Sequence, residues 1–152
     1  MPDLASPHLY ALLERIHGHV AWLGLALMLH PVVSLGRPGR PRSPTRWSAW
    51  LAAALVSAPY ALGWWLYPTY RTHVKPTLLV DSLPLALAFE TKEHLALMTL
   101  TLAWAGALAL HAGGETRRGR RAARVLFGCG AATGVVTGAL GVVVAAGAHG
   151  GW

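Results

Sequence analysis

Cysteine is almost absent from this chain: Cys129 is the single one in 152 residues. That excludes a disulfide framework and any metal site built on thiolates. Cys129 itself lies in an apolar run and reads as a small buried residue. Acid is scarce too, with six Asp and Glu against thirteen Lys and Arg, and charged residues make up only 12% of the chain. With 54% apolar residues and a positive mean hydropathy, an ordinary soluble domain is excluded. No Gly-rich phosphate loop, no G-x-S-x-G elbow and no cysteine beside a histidine occurs, so soluble-type catalysis has no foothold. The lack of an internal repeat argues against a carrier. The first ten residues, MPDLASPHLY, have no basic region and no small-residue cleavage site, so the first apolar segment is expected to be retained rather than cleaved.

What the chain does have is apolar length. Four segments, roughly 19–36, 47–67, 92–112 and 123–147, are each long enough to cross about 30 Å of hydrocarbon. The expected fold class is therefore an all-α membrane protein, a single up-down bundle of four transmembrane helices. A stretch over about 78–89 is apolar but too short to span, and is expected to lie in the interface and roof one end. Pro59 falls inside the second span, where neighbouring helices can accommodate it.

The net charge of +7 is distributed unevenly. Arg37, Arg40, Arg42 and Arg46 lie between spans one and two; Arg117, Arg118, Arg120, Arg121 and Arg124 lie between spans three and four. In a four-span chain these two loops share one side. The positive-inside rule makes that side cytoplasmic, with both termini periplasmic in a bacterial inner membrane. Membrane topology thus accounts for the charge, and nucleic acid is not an expected partner.

The other ionisable residues collect at the opposite, outer end. Glu14, His17 and His19 stand at the mouth of span one, Arg71, His73, Lys75 and Asp81 in the middle loop, and Glu90, Glu93 and His94 at the start of span three. His30 and His111 are deeper, in the inner half. Polar side chains in lipid are costly unless bonded, so each invites a functional reading. His19 and His30 are eleven residues apart, which returns them to within about 20° of one helix face, about 16 Å apart along the axis. In the fourth span Gly130, Gly134 and Gly138 recur every four residues, a spacing that favours close helix packing, or alternatively a groove for the face of a macrocycle.

Three chemistries fit. The first is haem b, with His19 or His17 paired with His94 near the outer face, His30 with His111 near the inner face, and Arg71 and Lys75 as partners for haem propionates. On His19, His30, His94 and His111 the chain resembles the small four-helix membrane cytochromes of the cytochrome b561 type. That resemblance implies haem-based electron transfer, with a quinone as a natural mobile partner. The second is a non-haem iron or copper site drawn from Glu14, His17, His19, Glu90, Glu93 and His94, after the Glu-x-x-His pattern of carboxylate-rich bundles. His17 and His19 are two residues apart and point to nearly opposite helix faces, so the choice between them depends on helix rotation. The third is an accessory subunit of a larger membrane redox complex, without its own cofactor, whose acids and histidines satisfy one another.

Overall fold

The computed structural model describes residues 7–149 and holds five α-helices: α1 Pro7–Ser34, α2 Ser43–Thr69, α3 Lys75–Asp81, α4 Leu83–Gly113 and α5 Arg117–His149. Four of them contain segments long and apolar enough to cross a membrane: Ala11–Ser34, Ser43–Thr72, Leu83–Gly113 and Arg117–Gly147. The protein is a four-helix transmembrane bundle, and no strand occurs among the described residues.

Local chemistry sets the helix ends. The α1–α2 turn passes through Gly39 at φ 107°, a left-handed conformation that glycine adopts without a Cβ penalty. Pro44 occupies the first turn of α2, where a missing N–H costs nothing. Pro59 and Pro68 both lie inside α2, which passes beyond Thr69 into a π-helical turn, Tyr70–Val74. Pro68 has no N–H to offer the preceding turn, and Thr72 Oγ1 donates to the carbonyls of Pro68 and Thr69 there. Ser82, at φ −157° and ψ 85°, separates α3 from α4. The apolar stretch 78–89 is consequently divided: its first part is in the short helix α3, and Leu83 already opens α4, ahead of the expected edge at residue 92. Thr116 closes the α4–α5 turn by accepting the Gly119 N–H at 3.0 Å, an N-cap for α5.

The helices form a ring in which α1 packs on α2 and α5, and α4 packs on α2 and α5. α1 and α4 are therefore diagonal. Small residues decide how closely neighbours approach: a Cβ at Gly24 would lie 3.3 Å from the Leu55 and Val56 main chain of α2. The stripe on α5 is filled by side chains. A Cβ at Gly130 would sit 2.6 Å from Met28 Cε, at Gly134 2.1 Å from Leu25 Cδ2, and at Gly138 2.8 Å from Trp22 Cζ2. The groove therefore seats α1, as close packing in lipid requires, and leaves no room for a macrocycle. Cys129, expected inside, is exposed on the perimeter of α5; among lipid tails an outward thiol is no less apolar in its surroundings.

Both arginine loops do meet at one end. Glu115 in the α4–α5 turn pairs with Arg46 and, at 3.3 Å, with Arg40, and Arg124 Nε donates to the Val32 carbonyl at 3.1 Å.

Candidate functional site

At the other end, α3 is fastened to α4. Lys75 Nζ lies 2.6 Å from Glu90 Oε1, and this hydrogen bond holds the Lys75 ammonium above its ordinary pKa. Tyr70 stacks on Phe89 with centroids 3.6 Å apart, Tyr67 follows at 6.4 Å from Tyr70, and Lys92 Nζ stands 4.5 Å over the Phe89 ring. Lys75, expected to serve a haem propionate, is thus engaged with a carboxylate. Arg71 is exposed on the π turn.

Helix rotation separates His17 from His19. His17 turns toward α2: its Cε1 is 3.2 Å from where a Gly63 Cβ would stand, so glycine makes the space for the ring. Its Nδ1 is buried without a hydrogen-bond partner of good geometry among the described residues, and the ring lies by the Pro59 main chain of α2. Lys92 is its charged neighbour from α4, and Glu14 and Glu93 in turn flank Lys92. An interior patch of imidazole, ammonium and carboxylates therefore crosses the half of the bundle away from the arginine loops. Lys92 is the member that reasoning from sequence passed over, although a lysine within an apolar span is itself a signal.

His19 turns outward instead. Its Nδ1 is 2.7 Å from the Arg15 carbonyl, one turn back. A carbonyl only accepts, so Nδ1 is the donor in this bond, and Nε2 is the nitrogen left for a ligand. His94 repeats this arrangement with the Glu90 carbonyl at 2.8 Å. His30 is held in a similar way: Ser48 Oγ donates a hydrogen bond to the Thr45 carbonyl at 3.0 Å, and so accepts from His30 Nδ1–H at 2.6 Å. All three residues are exposed on the bundle's perimeter, and their hydrogen bonds among the described residues are made by Nδ1. His111, also exposed, sits in the last turn of α4 and meets Trp50 edge-on at 5.8 Å.

Around His19 one face of α1 presents an open surface patch of Glu14, Arg15, Gly18 and Trp22. Gly18 has nothing within 4 Å of where its Cβ would be. His19 and His94 stand on diagonal helices and face away from one another, and the inner pair, His30 and His111, is likewise exposed rather than facing across the core. Among the described residues no three His, Cys, Asp or Glu side chains gather where they would hold a metal ion. The set Glu14, His17, His19, Glu90, Glu93 and His94 is thus divided between the interior patch, the α3 clamp and two outward imidazoles. His8, His73 and His149 have side chains outside the described residues. No match to this chain is found among protein-family models, curated proteins or solved structures.

Proposed function

We propose that this chain is a membrane redox subunit that presents His19 as an axial ligand to a haem b at the lipid-facing outer end, for electron transfer linked to a quinone. One observation carries the reading: the His19 ring is anchored through Nδ1 at the Arg15 carbonyl, which leaves Nε2 for a ligand at an open patch of α1. Ligating imidazoles are typically fixed in this way by a backbone carbonyl, which sets tautomer and ring orientation together.

The residues present fit a planar group. Gly18 leaves the space beside the imidazole open, Trp22 provides a flat apolar wall that is 46% exposed, and Arg15 offers a cation for a propionate. Arg15 takes the role that sequence reasoning gave to Arg71 and Lys75. The patch lies on one helix and covers one face only, so the second face and second ligand come from outside the chain. His94, diagonal to His19 and with the same Nδ1 anchor, is the ligand a second copy or another subunit of the complex would meet. When bound, the haem would supply one-electron chemistry, and the chain's residues would orient it.

The test is an absorption spectrum of the purified full chain, oxidised and then dithionite-reduced, with metal analysis on the same sample. A Soret band and a sharp reduced α-band are expected, lost in His19→Ala and His94→Ala and retained in His30→Ala. Bound iron or copper without a Soret band would replace haem by a non-haem site. A featureless, metal-free spectrum from folded, haem-replete material would leave an accessory subunit of a larger complex.

A further inference from the structure

A further feature lies at the arginine end. Between α2 and α4 lies a cavity of about 260 Å³ lined by Ser43, Arg46, Trp47, Trp50, Leu110 and His111. Its mouth is polar, with the Ser43 hydroxyl and the Arg46 guanidinium, and its floor is apolar. Trp47 is 74% exposed, an indole at the depth where a headgroup meets acyl chains.

Charge selects the occupant. Nine arginines lie in or beside the two loops at this end, and Glu115 is the one carboxylate there. Glu115 is shared between Arg40 and Arg46, so it cannot neutralise both. The Arg46 side chain remains 39% exposed. A phosphate with net negative charge complements this excess, and the apolar floor along Trp50 and Leu110 matches the first carbons of an acyl chain.

We propose that this cavity binds an anionic phospholipid, its phosphate at Arg46 and Ser43 and one chain along the α2–α4 seam. The site is independent of the haem reading and rests on the transmembrane bundle alone. The experiment is native mass spectrometry of the detergent-solubilised full chain, titrated with phosphatidylglycerol and, separately, phosphatidylcholine of equal chain length.

Wild type is expected to retain phosphatidylglycerol preferentially. Arg46→Gln should weaken that retention about fivefold, the effect of one interfacial cation. Ser43→Phe, which fills the cavity and leaves every charge in place, should weaken it comparably and keeps the proposal testable if Arg46→Gln fails to fold. Arg118→Gln, with the same charge change outside the cavity, should bind as wild type does. Equal retention of the two lipids by wild type, or equal losses in Arg118→Gln and Arg46→Gln, would overturn the site. Displacement of the lipid by millimolar inorganic phosphate would overturn the lipid assignment in favour of a free-phosphate site.

Discussion

Gly119→Ala should break the α4–α5 turn. A Cβ at residue 119 would stand 2.0 Å from the Gly113 carbonyl oxygen, 2.4 Å from its carbon and 2.7 Å from its Cα. Those atoms are main chain and have no rotamer to retreat into, so the two helix ends must part by more than an ångström. Parting them strains two bonds that close the turn: the Gly119 N–H to Thr116 Oγ1 at 3.0 Å, and the Thr116 N–H to the Gly113 carbonyl at 3.0 Å. A lost N-cap costs about 1 kcal/mol, a lost turn hydrogen bond about 1 kcal/mol, and overpacking about 1–3 kcal/mol. Alanine's better helix propensity returns up to about 1 kcal/mol. The net expectation is a destabilisation of about 2–4 kcal/mol. Gly128→Ala is the control, because nothing lies within 4 Å of its Cβ position; it should be neutral or stabilising by up to about 1 kcal/mol. Reversible unfolding in mixed micelles, followed by circular dichroism, measures both. A Gly119→Ala midpoint equal to that of Gly128→Ala would refute the close approach.

The Lys75–Glu90 clamp gives a pH dependence. Lys75 has a raised folded-state pKa, so its stabilisation is fully present below the ordinary value of 10.5 and is lost as pH rises through the higher folded value. Hydrogen exchange at the amides of α3, Lys75–Asp81, should accelerate above about pH 10.5 in wild type and already be fast at neutral pH in Lys75→Met; slow exchange in that variant would show that the aromatic stack holds the roof unaided. Orientation is tested by a reporter fused after Trp152, expected to be active on the periplasmic side, and cytoplasmic activity would reverse the assignment.

Much of the architecture was legible in the residues. Insertion of a span depends on hydropathy summed over about 20 positions, a local quantity, and each of the four observed spans overlaps its expected segment. Parity then put both arginine loops at one end, where Glu115 joins them. The start of α4 was misplaced because Glu90, Lys92 and Glu93 look like a polar border. Glu90 is held by Lys75, and Lys92 and Glu93 belong to the interior patch, so the helix runs straight through them.

Rotation and neighbour order were not legible. These helices are apolar on nearly every face, so no polar side marks what turns outward, and the facing is set by where small residues admit a neighbour. Gly63 accepts the His17 ring, and Gly130, Gly134 and Gly138 accept Met28, Leu25 and Trp22, which together turn His17 inward and His19 outward. Four spans, one arginine-rich end and a set of histidines at particular depths follow from composition along the chain. That α1 and α4 are diagonal, and that His19 and His94 face outward in different directions, follows from packing between helices, which depends on which side chains fit which gaps.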